Sequence, residues 1–567
     1  MPDSLTFSSL HSSYNSGSLT PSNLIKALYP SINAHDGTFV SVASLAGLLS
    51  RCGELEAVHA ADRPPLWGIP FAVKDNVDVA GFRTTAACKD FAYEPEHSAP
   101  AVQALLNAGG ILVGKTNMDQ FAAGLVGTRT PFGTAPNAFD ARFIPGGSSS
   151  GSGAAVGAGL VSFALGTDTA GSGRIPAGFN GCVGLKATVG RISTTGVVPA
   201  CSSLDCLTCF ASNVRDAATV MQIMQEAGTL EDPNWRVPDQ HIMDQQHMGG
   251  GFTFAIPNAE LLDFSGPGGP GLEAKYKEMF QEAVNSLKAR GGQLVDIDFS
   301  PFAATAKLLY ESAFVAERYS GIRAFLDKDK AQPPSAAEVA HDPRLERVIG
   351  AILSNAVKYS ATDVYDGNVK LKQLKARARS QMAKVDLLLV PTALHHYTVQ
   401  EIEAEEKLDD TVTWTRNAKL GRFTNFVNLL DMCAVSVPSA VYRHPQIGEG
   451  IMGQLCLSEE SAGRQDHLEQ TGNPQPVLPF GVTLIATAWR DAWLCEIASR
   501  ESLPATAALY DSYVPAAQQP GGEEGTLMLL DNSLFPVVNQ LDNITGLAAM
   551  KFIEFPEGFD LPGKRVS

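Results

Sequence analysis

The chain has 567 residues, 44% of them hydrophobic and 18% charged, enough to bury a large core and too apolar for an intrinsically disordered protein. A formal charge of -17 without a Lys/Arg cluster repels phosphate backbones and anionic lipid, which excludes nucleic acid and membrane surfaces as direct partners. The N-terminus lacks a secretory signal, no apolar run of about 18 residues could span a bilayer, and nine cysteines are too sparse for a disulfide scaffold, so a cytoplasmic protein is expected.

Residues 1–60 read as a helical segment packed on the core: in TPSNLIKALYPSI, Thr20 is an N-cap, Pro21 takes the first helical position, and Leu24, Ala27 and Leu28 form an apolar stripe. From Leu66 short apolar runs alternate with helices, as in PLWGIPFAVKDNVDV, SAPAVQALLNAGGILVGKTN and LVSFALGTDTAG. This alternation predicts an α/β fold with a central mixed β-sheet covered by helices on both faces. Turn formers dominate 227–270, and helical patterns follow over about 270–384. DLLLVPTAL returns a buried strand, and GRFTNFVNLLDMCAVSVPSA and LPFGVTLIATAWRDAWLCEIASR close the pattern, with 443–476 as a polar surface insertion. The expected organisation is one large domain over 61–505 with a helical insertion at about 270–384, then a tail over 506–567.

Residues 144–181, IPGGSSSGSGAAVGAGLVSFALGTDTAGSGRIPAGFNG, hold hydroxyls and almost no large side chain. A flexible linker would not need the apolar AAVGAGLVSFAL between its glycine clusters, which has the spacing of a small-residue helix leading to a strand. A phosphate loop would need GxxxxGK[ST], which is absent. Gly147, Ser149 and Gly151 satisfy G-x-S-x-G, but a nucleophile elbow also needs an acid and a histidine downstream. The candidates lie in polar stretches (His241, His247, His444, His467) or as the isolated pair His395 and His396. Upstream, Lys74 ends the apolar stretch GIPFAVK, where desolvation would lower its pKa toward that of a base near neutral pH. Cys201, Cys206 and Cys209 in CSSLDCLTC are a metal or redox site or reduced, half-buried thiols; lacking a second CxxC-type pair or neighbouring histidines, they are assigned no metal.

Lys74, Ser148 in GGSSSGS and Ser172 in GTDTAGSGRIP together resemble the amidase signature family, over about 60–210 and again over 385–500. In that family the first serine of the GGSS cluster follows a cis peptide and bridges a lysine to the serine of the DxxGS motif. The resemblance therefore implies a Ser-Ser-Lys triad of Ser172, Ser148 and Lys74, with no cofactor. Ser172 would attack an amide carbonyl, passing its proton through Ser148 to neutral Lys74. The backbone N–H groups of Thr169, Ala170, Gly171 and Ser172 would form the oxyanion hole, each donor contributing on the order of 100- to 1000-fold. Asp168 and Arg174 would support the loop.

NMDQFAAGLVGTRTPFG, GGSSSGSGAA, VVPACSSLDC, FTNFVNLLDMCAVSVP and LLYESAFVAERY are similar to the allophanate hydrolase branch of that family. This likeness implies a small anionic amide, urea-1-carboxylate, held by Tyr310 and Arg318, with Gly124, Gln120 and Asp119 as further substrate contacts. Guanidinium suits a carboxylate through paired hydrogen bonds, although an arginine paired on its own helix with Glu311 or Glu317 reads equally well from the residues alone. Tyr310 and Arg318 are eight residues apart, a little over two turns of one helix, which would let both face one cavity. The likeness further implies a functional link to a urea carboxylase and a homodimer. Full-length relatives carry a decarboxylating C-terminal domain, for which residues 521–567 are too short. Two alternatives stay open: an amidase for another small amide or carboxylated urea, and a protein like the first component of the tRNA-dependent amidotransferases, active only with partners.

Overall fold

The computed structural model describes residues 4–228, 231–237, 251–266, 269–328, 330, 332–408, 415–445 and 476–500. These fall within one compact unit, Met1–Gln518. The expected tail over 506–567 and most of the expected insertion over 443–476 lie outside the described residues, as do His241, His247 and His467.

Helices α1 (Phe7–Asn15), α2 (Pro21–Ala34) and α3 (Leu45–Glu56) open the chain. Thr20 caps α2 by accepting the Asn23 N–H, Pro21 starts it, and Leu24 and Leu28 are buried, as the pattern predicts. The segment is not wholly helical: β1 (Phe39–Val42) pairs antiparallel with β3 (Ile111–Thr116) at a sheet edge. Among the described residues eleven strands make one sheet. Its first half, in spatial order, runs β1, β3, β2 (Pro70–Lys74), β4 (Phe163–Asp168), β6 (Cys206–Ala211) and β5 (Val183–Lys186). The second half runs β10 (Met432–Arg443), β11 (Val477–Thr487), β9 (Leu387–Pro391), β7 (Phe252–Ala255) and β8 (Gly292–Leu294). The sheet is mixed: β2 is parallel to β3 and β4, whereas β6 runs antiparallel to both β4 and β5. Strands β2 to β6 are buried throughout, which is why they read as continuous apolar runs.

Over about 270–384 the structure has helices Gly269–Ala289, Ser300–Glu311, Val315–Leu326, Ala336–Ala340, Arg347–Ala356 and Ala361–Met382. It also has β8, whose parallel pairing with β7 binds the start of this region into the sheet. Because β2, β3 and β4 are parallel neighbours, their C-terminal ends lie on one edge, and the loops that follow all open there, where open α/β sheets hold their ligands. The antiparallel return of β6, with Asp168 opposite Cys206, brings residues 200–205 to the same edge.

Candidate active site

The hydroxyl-rich segment is packed: every residue of 144–181 except Gly159 is buried. It forms α5 (Ser150–Gly157) and then β4, the helix and strand expected of it. Only small residues fit so close to neighbours. A Cβ on Gly166 would lie 2.7 Å from Ser149 Oγ, and one on Gly184 would lie 2.5 Å from the Gly173 carbonyl. Ser149, the serine of the G-x-S-x-G pattern, donates to the Thr167 carbonyl at 3.1 Å and accepts the Thr167 N–H at 3.3 Å. It staples α5 to β4. His396 lies instead against Phe179, with Nδ1 3.0 Å from the Tyr442 hydroxyl, so the elbow arrangement is not formed.

Lys74 is fully buried at the end of β2, with Nζ 2.8 Å from Ser148 Oγ and 2.8 Å from Thr167 Oγ1. Burial lowers its pKa from 10.5 to about 7 and the Arg318 charge adds to this, against the opposing pull of Asp119, Asp205 and Asp168. The peptide bond from Gly147 to Ser148 is cis. Ser172 is 3% exposed, and its carbonyl accepts the Ser149 N–H at 3.3 Å, tying the two serine loops together. Among the described residues no hydrogen bond joins the Ser172 hydroxyl to Ser148, so only the half of the relay between Ser148 and Lys74 is in hydrogen-bond contact. Catalytic hydrogen bonds are often open in free enzymes and tighten with substrate.

The loop carrying Ser172 is organised by Asp168. Its carboxylate is bidentate to Arg174, at 2.9 and 2.8 Å, and accepts the N–H groups of Gly171 at 2.8 Å and Gly173 at 3.1 Å. Burial alone would raise this carboxyl, but the Arg174 charge and hydrogen bonds, helped by Lys186, bring it below the ordinary range. Gly171 has φ +124°, and a side chain there would strike Thr424. Its N–H is committed to Asp168, which leaves the N–H groups of Thr169, Ala170 and Ser172 without hydrogen-bond partners among the described residues. These three can meet a developing oxyanion.

The expectation that Tyr310 and Arg318 share one helix is corrected. Tyr310 closes helix Ser300–Glu311, Arg318 lies on helix Val315–Leu326, and Ser312 between them is extended (φ -145°, ψ -178°). Ser312 Oγ donates to the Leu308 carbonyl at 2.5 Å, the back-bonding by which serine competes with helix continuation. The two side chains nevertheless meet: Arg318 Nη2 donates to the Tyr310 hydroxyl at 3.2 Å, and the guanidinium carbon lies 5.2 Å from the ring centre. Arg318 is 3% exposed, Nη1 donates to the Ala122 carbonyl at 3.3 Å, and Nε is buried without a partner. Glu317 does not pair with it, because its carboxylate accepts from the Ser203 N–H and hydroxyl. Among the described residues Arg318 makes no ion pair.

Asp119 and Gln120, expected at the substrate, have their polar atoms taken by protein. Asp119 accepts the Gly127 and Arg129 N–H groups, each at 3.0 Å. Gln120 donates to the Arg344 carbonyl at 3.1 Å and accepts the Glu346 N–H at 2.8 Å, joining its loop to the helical region. Gly124 has φ +151° and sits where a Cβ would lie 2.7 Å from Arg129 Nη1. Among the described residues no three His, Cys, Asp or Glu side chains could hold a metal ion; Cys201, Cys206 and Cys209 are buried and free. No described helix is long and apolar enough to cross a membrane.

Sequence reasoning missed Thr167, Asn428 and Asp205. Asn428 Nδ2 donates to the Asp168 carbonyl at 2.7 Å and to the Leu204 carbonyl at 2.8 Å. Asp205 accepts the Thr169 hydroxyl and the N–H groups of Ala200 and Cys201, and burial raises its carboxyl to about 6. The available signal was a lone carboxylate one residue before the wholly apolar strand CLTCFA.

The Amidase family model matches residues 25–495. The chain is 36% identical over 515 residues to the urea amidolyase of Saccharomyces cerevisiae, covering 90% of this chain and 25% of that protein. It therefore spans about a quarter of the length of that relative. The first component (GatA type) of the glutamyl-tRNA(Gln) amidotransferase of Lacticaseibacillus paracasei is 32% identical, with 78% of this chain and 92% of the relative covered. The solved allophanate hydrolase of Kluyveromyces lactis superposes with a TM-score of 0.70 at 34% identity, covering 88% of this chain and 72% of that one. With the sheet edge, the serine loops and the buried lysine in place, these likenesses identify the chain as a member of the amidase signature family and an amide-hydrolysing enzyme.

Proposed function

We propose that this enzyme hydrolyses allophanate with release of ammonia, using Ser172 as nucleophile, Ser148 as proton relay and Lys74 as base. Ser172 Oγ attacks the terminal amide carbon as its proton passes to Ser148, whose own proton moves to neutral Lys74. The N–H groups of Thr169, Ala170 and Ser172 receive the oxyanion. Collapse returns a proton to the leaving nitrogen, ammonia departs, and water attacks the acyl-enzyme by the reverse relay. A pKa of about 7 leaves Lys74 substantially neutral at working pH, which supports this role.

The observation that carries the substrate reading is Arg318, a buried guanidinium with no carboxylate partner among the described residues and a free Nε. Burying a cation without an anion is costly, and an anionic substrate supplies the missing charge. The urea amidolyase and allophanate hydrolase relatives agree with that chemistry. In this reading a urea carboxylase supplies the substrate. The test is ammonia release from allophanate and from uncharged amides by wild type, Ser172→Ala and Arg318→Met. Loss with Ser172→Ala and a loss with Arg318→Met confined mainly to allophanate are expected. Equal turnover of uncharged amides, equally insensitive to Arg318→Met, would overturn the substrate assignment and leave the nucleophile standing. The amidotransferase relative, 92% covered by this chain, supports a second reading in which hydrolysis appears only with partner proteins. Activity of the isolated chain without tRNA excludes it.

A further inference from the structure

We infer that Asp205 is a positioning residue that aims the Thr169 N–H at the oxyanion. This rests on the reading of Ser172 as nucleophile. Thr169 is the first residue after β4, and its peptide unit is held at two points. The carbonyl of that unit, on Asp168, accepts from Asn428 Nδ2 at 2.7 Å. In a planar trans peptide the N–H points opposite to the C=O, so pinning this oxygen directs the Thr169 N–H the other way. The second point is the Thr169 side chain, whose hydroxyl donates to Asp205 Oδ1. With its side chain and preceding carbonyl both anchored, Thr169 cannot rotate its amide to find another acceptor. That amide has no partner among the described residues and belongs to a buried residue, a state that costs free energy unless something arrives to accept from it.

Asp205 is itself immobilised. Its carboxylate accepts the Ala200 N–H at 2.9 Å and the Cys201 N–H at 3.2 Å, and its own N–H donates to the Cys201 carbonyl at 2.9 Å. The anchor is therefore a closed turn at the start of β6, rigid with the sheet. A Cβ on Gly321, in the helix that carries Arg318, would lie 3.0 Å from Pro199 Cγ, so the segment that holds the oxyanion loop also packs against the helix carrying the arginine.

The experiment compares Thr169→Val, Thr169→Ser, Asp205→Asn and the Thr169→Val/Asp205→Asn pair. The readouts are steady-state allophanate hydrolysis and the rate at which a fluorophosphonate labels Ser172, located by mass spectrometry. Thr169→Val, which keeps shape and removes the hydroxyl, should lower kcat and the limiting labelling rate by about tenfold or more, with KM within about threefold. Thr169→Ser should restore most of the loss, and the double variant should be no worse than its more affected single parent, because both changes break one link. A kcat within about threefold of wild type for Thr169→Val, or multiplicative losses in the double variant, would overturn the inference; a merely structural tie would lower Tm and spare kcat. Labelling of Ser172 that is slowed by Thr169→Val supports the inference even where allophanate is not turned over, and that failure then belongs to the substrate assignment alone. Absence of labelling at Ser172 in the wild type overturns the nucleophile reading and this inference with it.

Discussion

Replacing Lys74 with Met separates what the lysine does for chemistry from what it costs the fold. Its pKa falls from 10.5 in the unfolded chain to about 7 in the fold, chiefly through burial, and at roughly 1.36 kcal/mol per decade the protonated form is disfavoured by about 5 kcal/mol. A group with a depressed folded pKa leaves the unfolded chain binding more protons between those two values, so wild-type stability rises with pH across that interval. Near pH 6 almost the whole penalty acts; near pH 9 about 2 kcal/mol of it remains. Met carries no such penalty, but it strips Ser148 and Thr167 of a hydrogen-bond partner, a cost that does not change with pH. The difference in unfolding free energy between wild type and Lys74→Met should therefore shift by about 2.5 kcal/mol in favour of wild type from about pH 6 to about pH 9. Guanidinium titrations of both proteins at several pH values measure it. The same titration should appear as a limb near pH 7 in kcat/KM of wild type, rising with pH, while Lys74→Met is inactive. Parallel stability profiles for the two proteins would refute the assignment of a depressed lysine pKa.

Asp168→Asn leaves Arg174 buried without its bidentate partner and should cost about 3 to 5 kcal/mol in denaturant unfolding, with hydrolysis lost as the Ser172 loop rearranges. Gly171→Ala must adopt φ +124° and displace Thr424; strain of roughly 1 to 3 kcal/mol should lower kcat far more than KM, which steady-state kinetics would detect. Gln120→Ala frees the Arg344 carbonyl and Glu346 N–H and should lower stability by about 1 to 3 kcal/mol with KM little changed. A large rise in KM without loss of stability would return Gln120 to the substrate.

The chemistry was legible because it is concentrated in short segments whose residue types are unusual. A lysine closing an apolar strand, and serines set among glycines, point to proton relay and exposed amides. Arg318 was legible by type, but not its isolation: Glu317 is a plausible partner by sequence spacing and turns instead to Ser203, 114 residues away in the chain. Asp119 and Gln120 show the opposite failure. Polar residues beside a reactive loop look like substrate contacts, and nothing local reveals that distant backbone groups at 344 and 346 consume the Gln120 side chain.

By itself the sequence determined the α/β alternation, the N-cap of α2 and the residues able to carry amide hydrolysis, because periodicity, capping and residue chemistry are local properties. Tertiary structure alone decided what converges. The parallel pairing of β2 with β4 puts Lys74 beside Thr167, 93 residues apart, and the antiparallel return of β6 sets Asp205 against Thr169. It also breaks the helix at Ser312, so that Tyr310 and Arg318 meet across two helices. Strand order, burial and the claims of distant backbone groups settle such contacts, and these exist only once the sheet has closed.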